Sequence, residues 1–335
     1  VGVGVIAGYN KGTISNTYVN KVSTTLNSIT TTSEKVNIGG IAGQNSGTIS
    51  NTSIDFMAIY PPTTNTTTAS IGGIVGRIQY TTLTNCRFIG SSTNDDYIGM
   101  SGHQSPDSAF CGGIVGLIRT AENGVPSTVI DCEVTGTEVS GSATNVNLNY
   151  SDPDIYVGGI VGATYIHDTN VTINISNCRV NKTNVYALGN EIITTYAGGI
   201  LGGTTWSSSI RINDCYVTDS TIKATMATTI QNNKSLESSA AGIVGGMKGS
   251  ATRDNVNIAH CTVIDTDVTG LAETTFTNIK AYAAGILGYC QSNTTINITN
   301  CYSNALVNAK HNNTSGTAEV YGIAHRGSKP NNSTN

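Results

Sequence analysis

The residues most suggestive of chemistry stand near the start of the chain, where Gly2, Gly4 and Ala7 have the spacing of a dinucleotide-binding loop. In such a loop the glycines let the backbone approach a pyrophosphate, a long helix follows, and an acidic residue further along binds the ribose. Here the glycines are followed instead by a turn and by Thr13-Ile14-Ser15, a β-branched run that predicts a strand. We therefore predict no bound cofactor.

The acidic side chains are the next candidates, because the cleavage of polysaccharides needs two or three converging carboxylates, often with a bound cation. Most of them fall in polar stretches that predict loops, and none recurs at a matching position of neighbouring repeats. Asp95 and Asp96 form the best candidate pair, but a solvated loop is the favoured interpretation. The sequence also has no Cys-x-x-Cys motif and no Cys/His cluster of the kind that binds zinc. We predict no catalytic residue and no metal site; the acidic residues considered are Asp95, Asp96, Asp152, Asp154, Asp168, Glu237, Asp265 and Asp267.

The glycine phrase recurs along the whole chain, which changes its meaning. Its copies are spaced by roughly 33 to 46 residues, a period typical of solenoids and propellers. A phosphate-binding loop occurs once per site, so this recurrence indicates architecture. The later copies are Gly39–Gly43, Gly72–Gly76, Gly112–Gly116, Gly158–Gly162, Gly198–Gly202, Ala241–Gly245, Ala284–Gly288 and Tyr321–Ala324.

A second phrase, Ile-x-Asn-Cys-x-Val, follows each glycine phrase, as at Ile175, Asn177, Cys178 and Val180. Side chains of a straight strand alternate between two faces, so the Ile, the Cys and the Val share one face only if the chain bends at the Asn. Asn and Asp tolerate the left-handed conformation that such a corner needs. A third apolar residue follows after a short polar turn, as at Val185. Each repeat therefore predicts three short strands separated by corners.

This pattern describes the coil of a parallel β-helix, an all-β β-solenoid of about eight to nine coils. We expect a single domain over residues 1–326 and a polar tail over 327–335 that is flexible or continues into further chain. The remaining residues of each repeat predict polar insertion loops on one edge, where repeat proteins often bind; insertions without function are an equal alternative. The predicted insertions are Ser91–Ser108, Gly141–Asp154, Leu188–Thr195, Thr225–Ser239 and Leu271–Lys280.

The cysteines fall into one slot of the repeat. Stacked neighbours in a β-helix lie within reach of a disulfide bond, but their Cβ atoms run parallel, so buried free thiols are the favoured interpretation. Thr17 and Thr52 in the same slot support it, because a covalent or metal-bound position would not accept Thr. Cys111 and Cys290 fall elsewhere, and a bridge from one of them to the row stays open. The predicted row is Cys86, Cys132, Cys178, Cys215, Cys261 and Cys301.

The composition favours an extracellular or cell-surface protein. Charged residues make up 11% of the chain and the formal net charge is −4, which gives no basic patch for nucleic acid. No apolar run approaches the length of a membrane span. Thr, Ser, Asn and Gly dominate, and Asn-x-Ser/Thr sequons are frequent. The candidate N-glycosylation sites are Asn51, Asn65, Asn149, Asn170, Asn174, Asn181, Asn233, Asn293, Asn297, Asn312, Asn313, Asn331 and Asn332.

Together, the two phrases Gly-Gly-Ile-Val-Gly and Ile-x-Asn-Cys-x-Val resemble the GLUG-motif repeat. The resemblance covers Gly4 to Ala324. That repeat occurs in tandem in adhesin-like surface proteins and in large secreted peptidases, where it accompanies the catalytic module. The resemblance implies an extracellular β-solenoid without an activity of its own. The chain departs from the pattern in its long insertions and in its first two coils, which have no Cys.

We therefore expect a non-enzymatic structural or adhesive solenoid, with neighbouring surface proteins or glycans as partners. The chain begins and ends near glycine phrases, which favours end-to-end self-association as a filament subunit, because open β-helix ends template pairing. The alternative is a polysaccharide lyase or hydrolase that uses acidic loop residues. Binding to ice or a crystalline surface ranks last, because it needs Thr at one fixed outward position of every coil and the Thr runs fall in predicted loops.

Overall fold

The computed structural model describes residues 1–20, 23–25, 35–60, 68–91, 96–103, 108–120, 125–145, 154–166, 171–191, 193–205, 209–229, 236–248, 255–291 and 295–324. The regular structure within these ranges is β-strand. The first five coils contain β1 (Gly2–Gly4), β2 (Ala7–Asn10), β3 (Thr13–Ser15), β4 (Tyr18–Asn20), β5 (Ser23–Thr25), β6 (Lys35–Gly39), β7 (Ala42–Asn45), β8 (Thr48–Asp55), β9 (Ala58–Tyr60), β10 (Thr68–Gly72), β11 (Val75–Ile78), β12 (Thr82–Ile89), β13 (Tyr97–His103), β14 (Ala109–Gly112), β15 (Val115–Thr120), β16 (Thr128–Ile130), β17 (Glu133–Thr135), β18 (Glu138–Asn145), β19 (Asp154–Gly158), β20 (Val161–Ile166), β21 (Thr172–Ser176), β22 (Arg179–Asn181) and β23 (Asn184–Glu191).

The later coils follow the same order. They contain β24 (Thr194–Gly198), β25 (Leu201–Thr204), β26 (Ser209–Asn213), β27 (Tyr216–Thr218), β28 (Thr221–Ala227), β29 (Leu236–Ala241), β30 (Val244–Met247), β31 (Asn255–Ala259), β32 (Thr262–Ile264), β33 (Asp267–Glu273), β34 (Ile279–Ala284), β35 (Leu287–Cys290), β36 (Thr295–Thr299), β37 (Tyr302–Ser303), β38 (Leu306–His311) and β39 (Thr317–Tyr321).

These strands stack into four parallel sheets, which confirms the predicted parallel β-helix. Sheet A has nine strands, in the order β1-β6-β10-β14-β19-β24-β29-β34-β39, and sheet B has eight, in the order β2-β7-β11-β15-β20-β25-β30-β35. Sheet C has 14 strands built from the Ile-x-Asn-Cys-x-Val phrases, and sheet D has eight, in the order β38-β33-β28-β23-β18-β13-β9-β5. The nine strands of sheet A agree with the predicted coil number. Each coil visits four sheets, where the sequence predicts three strands, because the residues after the glycine phrase form the separate sheet B.

The predicted corner lies at the Asn, Asp or His of each of the eight second phrases. All eight of these residues adopt a left-handed backbone with φ between 50° and 55°: Asn16, Asn51, Asn85, Asp131, Asn177, Asp214, His260 and Asn300. The corner turns the chain between the two halves of its sheet C segment, so that the Cys and the Val reach the same interior as the Ile. A second left-handed corner precedes sheet D, for example at Lys182 and Asp219, both with φ 49°.

Sheet B folds back directly onto sheet A, and the glycine phrase makes this possible. A Cβ atom on Gly72 would lie 2.1 Å from the carbonyl oxygen of Val75 and 2.7 Å from the amide nitrogen of Gly116. A contact below 3.0 Å is closer than real Cβ atoms come, so the two backbones pack at a distance that only glycine permits. The recurring glycines therefore serve the close approach of two sheets.

The interior is filled by stacked apolar rows. Ile41, Ile74, Ile114, Ile160, Ile200, Ile243 and Ile286 follow the same glycine of each phrase and are fully buried. Outside this row, Cys111 of sheet A lies between Ile71 and Val157, and Cys290 of sheet B pairs with Met247. Both of these cysteines are buried free thiols, so the bridge that the sequence left open is not formed.

Much of the sequence predicted to leave the solenoid as insertions belongs to its sheets. Gly141–Asp154 contains the end of β18 and the first residue of β19, and Thr225–Ser239 contains the end of β28 and the first half of β29. Leu188–Thr195 and Leu271–Lys280 likewise overlap strands of sheets D and A. The polar residues of these segments alternate with buried residues along the strands. The sequence predicted loops here because Ser, Thr and Gly are also typical of turns.

Candidate functional site

The acidic residues considered from the sequence do not assemble into one catalytic centre. Asp95, Asp152 and Asp168 lie outside the described residues. Asp96 is buried, and its Oδ2 accepts hydrogen bonds of 2.5 Å from both the amide and the hydroxyl of Ser91. The favoured interpretation as a solvated residue is therefore wrong for Asp96.

Asp265 and Asp267 are both exposed; Asp265 precedes sheet D and Asp267 is the first residue of β33. Asp265 occupies the second left-handed corner, where its carboxylate accepts a hydrogen bond of 3.2 Å from Asn304 Nδ2. This is a corner role and not the geometry of a catalytic pair.

The corner residues of neighbouring coils form a polar ladder. Asn51 Nδ2 donates to Asn16 Oδ1 at 3.2 Å, and Asn85 Nδ2 donates to Asn51 Oδ1 at 2.9 Å. Asn177 Nδ2 continues the pattern to Asp131 Oδ1 at 2.5 Å. The side chains that permit the left-handed backbone therefore also connect the coils along the solenoid axis.

The cysteine slot forms a second ladder, directly inside the corners. The Sγ atom of each ladder cysteine lies 3.2 to 3.6 Å from the carbonyl oxygen two residues earlier, the same contact that the Thr52 hydroxyl makes with Ser50 O at 3.0 Å. This shared bond explains why Thr and Cys are interchangeable here. All six thiols are free, five are buried and Cys301 is half-buried. Burial raises the pKa of the Cys178 thiol well above its ordinary value, and the ladder is a packing element.

Six of the candidate glycosylation sites lie in the described residues. Asn51 and Asn297 are exposed in sheet C, and Asn312 is exposed after β38; Asn174, Asn181 and Asn313 are half-buried. The amide of Asn51 is already engaged in the corner ladder, and Asn297 Nδ2 donates to Asn257 Oδ1 at 2.9 Å. Glycosylation stays a prediction, and the sites outside the described residues are Asn65, Asn149, Asn170, Asn233, Asn293, Asn331 and Asn332.

The best candidate site made of ionisable groups lies where the strands of sheet A begin and the strands of sheet B end. We call it the acid–lysine cluster: Asp154, Glu237 and Lys248. Asp154 opens β19, Glu237 is the second residue of β29, and Lys248 follows β30. In the register of sheet A, Asp154 pairs with Thr194 of β24, and the next strand carries Glu237. The two acids therefore share one row, two strands apart, at about 10 Å between their Cα atoms.

Hydrogen bonds hold each acid of the cluster in place. Lys248 Nζ lies 3.0 Å from Asp154 Oδ1 and 3.1 Å from Oδ2. Tyr156 donates its hydroxyl to Asp154 Oδ2 at 3.1 Å, and Tyr196 donates its hydroxyl to Glu237 Oε2 at 3.4 Å. Asp154 is 6% exposed and Glu237 is 9% exposed, whereas the side chain of Lys248 is 36% exposed.

A column of aromatic rings backs the cluster between sheets A and B. The Phe110 and Tyr156 ring centroids are 5.8 Å apart, those of Tyr156 and Tyr196 are 4.9 Å apart, and Tyr289 extends the column. Sheet B makes room for these rings with glycine: a Cβ atom on Gly246 would lie 2.0 Å from Tyr196 Cδ1. Because the two central rings are stacked and fully buried, their hydroxyl groups bring both carboxyl groups to the same side of the column.

The two acids of the cluster differ in their electrostatic surroundings. Burial raises the pKa of Glu237 to about 7, against the opposing positive charges of Lys248 and Lys280. Burial also raises the pKa of Tyr156 and Tyr196 well above the ordinary value, so both phenols stay protonated hydrogen-bond donors. At neutral pH the site therefore combines a carboxyl group that exchanges its proton readily, a second carboxyl group held by a lysine, and two fixed hydroxyl donors.

Sequence reasoning listed Asp154 and Glu237 but placed both in loops, and it did not connect them with Lys248. A signal was present: Asp154, Thr194, Glu237 and Lys280 each stand four positions before the first residue of a glycine phrase. Aligning the repeats on that phrase places the four in one row. Lys248 carries no such signal, because only the fold-back of sheet B brings it to sheet A.

The outer face of sheet C carries a second candidate surface, which we call the tyrosine–arginine row. Its members occupy one outward position of successive coils. Arg87 Nε lies 3.7 Å from Glu133 Oε2, and the Arg179 guanidinium lies 5.6 Å from the centre of the Tyr216 ring. The row consists of Tyr18, Ser53, Arg87, Glu133, Arg179, Tyr216, Thr262 and Tyr302.

Among the residues described, no group of three or more His, Cys, Asp or Glu side chains is arranged to hold a metal ion. None of these residues belongs to a helix with the length and apolar character of a membrane-spanning segment.

No protein-family model matches the chain, and no curated protein matches it. A solved structure with a similar fold is that of a putative immunoglobulin A1 protease from Bacteroides ovatus. The two share 16% sequence identity with a TM-score of 0.50, over 84% of this chain and 69% of that chain. At this identity the likeness bears on the fold alone. The resemblance to the GLUG-motif repeat stays a prediction.

Proposed function

We propose that the chain is a non-enzymatic extracellular β-solenoid with a structural or adhesive role, built from GLUG-like repeats. The observation that carries the proposal is the tyrosine–arginine row. Tyr18, Tyr216 and Tyr302 are 60%, 39% and 56% exposed, although large aromatic side chains gain free energy from burial. Exposed aromatic rings and two arginines in one outward row, on a sheet of 14 strands, suit contact with an extended partner such as a glycan.

The proposed adhesive face predicts a specific binding defect. Loss of the Tyr216 ring removes an aromatic contact of about 1 kcal/mol, so we expect Tyr216→Ala to weaken binding to an immobilised polysaccharide roughly fivefold. The measurement is surface plasmon resonance over a panel of neutral and acidic polysaccharides. Tyr9→Ala is the matched control, because Tyr9 is an exposed tyrosine of sheet B. Equal losses in both variants, or no wild-type binding to any surface, would contradict the proposal.

A carbohydrate-active enzyme is the second candidate, favoured by one observation: Asp154 and Glu237 share a row and Glu237 has a raised pKa, as the acid–base pairs of glycosidases do. Burial of both acids beneath stacked tyrosines supports the non-enzymatic proposal instead, because a polysaccharide has to reach the carboxyl groups. Incubation with the same polysaccharides, with calcium present, separates the two. Turnover that disappears in Glu237→Gln would establish the enzyme and end the non-enzymatic proposal.

End-to-end association as a filament subunit extends the proposal. Ile6 is 51% exposed on the first coil and Ile323 is 41% exposed on the last described coil, at the inward position that buried isoleucines fill in the coils between them. The occupant we propose for these apolar ends is a second copy, whose coils continue the parallel ladders. Sedimentation velocity at rising concentration should show association that Ile323→Lys reduces, with Leu188→Lys on the outer face of sheet D as control. A strictly monomeric wild type would remove the filament from the proposal.

Thr residues form one outward row in the first four coils, at Thr13, Thr48, Thr82 and Thr128. Sequence reasoning assigned the Thr-rich runs to loops and did not predict this row. The same position carries Asn174, Arg211, Asn257 and Asn297 in the later coils. Because the row changes to larger polar and charged residues, ice binding is not proposed.

A further inference from the structure

The contact between Lys248 and Asp154 has the components of a covalent cross-link. The lysine nitrogen lies at nearly equal distances, 3.0 and 3.1 Å, from the two carboxyl oxygens, which places it close to the carboxyl carbon as well. A separation of about 3 to 3.5 Å between the reacting atoms is the distance from which attack proceeds once the amine approaches the face of the carboxyl group. Glu237 stands in the same row as Asp154, and Lys248 is the strongest positive influence on its carboxyl group.

We propose that Lys248 and Asp154 join in an intramolecular isopeptide bond, with Glu237 as the group that moves the proton between them. This is a modification of the folded chain, because the two residues are 94 positions apart and meet only when sheet B packs on sheet A.

The reaction needs no co-reactant and balances as a condensation. Glu237 takes a proton from the Lys248 ammonium, and the neutral amine attacks Cγ of Asp154, forming a C–N bond and a tetrahedral intermediate. Glu237 returns this proton to one Asp154 oxygen, takes a second proton from the nitrogen of the intermediate and passes it to the same oxygen. The C–O bond then breaks, and that oxygen leaves as one water molecule. The Asp154 carboxyl group and the Lys248 amine thus become an amide and water, with no change of oxidation state.

The surroundings favour this step over a persistent ion pair. Removing two charges from water is costly, and an uncharged amide avoids that cost. The Tyr156 hydroxyl is aimed at Asp154 Oδ2 at 3.1 Å, where it stabilises negative charge on the intermediate. A group that exchanges its proton near neutral pH is suited to both halves of the transfer, and burial raises the pKa of Glu237 to about 7.

The bond would connect strands two coils apart, because Asp154 lies in β19 and Lys248 follows β30, with β24 and β25 between them. It would fasten the solenoid along its axis, where otherwise hydrogen bonds and packing hold the coils together. The inference stands on the Lys248–Asp154 contact and does not depend on the proposed adhesive function.

The experiment is mass spectrometry of the purified, reduced and denatured full chain. We expect wild type to be lighter than its sequence mass by one water molecule. After digestion with trypsin, we expect one branched peptide joining residues 120–179 to residues 235–253, because an acylated Lys248 is no longer a cleavage site. Lys248→Arg keeps the positive charge but cannot form the amide, so it should have its full sequence mass. Glu237→Gln should also have its full mass while it folds, as judged by circular dichroism.

Each outcome decides a part of the proposal. A folded wild type at full mass, with residues 120–179 and 235–248 recovered as separate peptides after incubation between pH 6 and 8, overturns the bond. A folded Glu237→Gln chain that still loses water overturns the role of Glu237. An Asp154→Asn chain can form the same bond, because Lys248 would attack the side-chain amide and release ammonia in place of water. The readout is mass alone, so it is independent of any binding or enzymatic activity.

Discussion

Glu237 faces charged and titratable groups on the strands around it: Asp154 of β19, Tyr196 of β24, Lys248 after β30, Lys280 and Tyr282 of β34, and Tyr289 of β35. Its burial opposes ionisation more strongly than the two lysines favour it, so its pKa in the folded chain is about 7, above the ordinary value of 4.5. The folded state therefore holds a proton that the unfolded chain releases between these two values.

This difference predicts how stability depends on pH. The contribution of Glu237 is fully present below pH 4.5 and is lost as pH rises through 7, a loss of roughly 3 kcal/mol. We expect the free energy of unfolding in urea to fall between pH 5 and pH 7.5 in Lys248→Arg, which keeps the positive charge and excludes the amide. Adding Glu237→Gln should flatten this dependence. Equal slopes in the two chains would show that Glu237 titrates as an ordinary exposed acid.

At the level of single residues the sequence predicted the ladders and missed the cluster. Corner Asn and Asp residues and the Cys slot repeat with each coil, so eight copies reinforce one interpretation. Asp154, Glu237 and Lys248 occur once each in their roles. Their juxtaposition depends on register and on the packing of two sheets, which a local pattern does not encode.

At the level of secondary structure, the interior of the solenoid depends on the close packing of sheet B against sheet A. The substitution Gly72→Ala tests this packing, because it adds one methyl group between the two sheets. The new Cβ would lie 2.1 Å from the Val75 carbonyl oxygen, and a backbone atom cannot move aside as a flexible side chain can. We expect a loss of more than about 3 kcal/mol, or failure to fold, measured by urea denaturation. Gly12→Ala is the control, since the nearest neighbour of its Cβ, Asn10 Oδ1, is 3.9 Å away. A Gly72→Ala chain as stable as Gly12→Ala would mean that the two sheets are more loosely packed.

Sheet B is also the element that the sequence did not predict as a separate strand. The sequence predicted a turn directly after the first glycine phrase, where the structure has strand β2 (Ala7–Asn10), because the closeness of sheet B to sheet A follows from long-range packing of glycine against backbone. In sheet D the sequence predicted a strand at the apolar residue near the start of each segment, such as Val185, but assigned the polar residues that follow to loops, although β18 and β23 pair over eight residues. These strands bury only one face, so half of their residues are polar and the apolar pattern that identifies a strand is weak.

For the whole molecule, a cross-link between Asp154 and Lys248 would have a measurable effect on stability. It would close a loop of 94 residues and reduce the freedom of the unfolded chain. A disulfide bond that closes a loop of this size contributes roughly 4 to 5 kcal/mol in the chain-entropy model, and an amide restrains the chain in the same way. We therefore expect Lys248→Arg to unfold at a clearly lower urea concentration than wild type.

The change of side chain is separated from the loss of the bond by a double-mutant cycle. Glu237→Gln lacks the amide whichever residue stands at position 248, so Lys248→Arg in that background should change the free energy of unfolding by less than about 1 kcal/mol. A large effect in wild type and a small one in Glu237→Gln assigns the stability to the closed loop. The same effect in both backgrounds would instead assign it to the ion pair. Because a parallel solenoid can lose its coils one after another, a bond across two coils would also make the unfolding of the segment between them more cooperative.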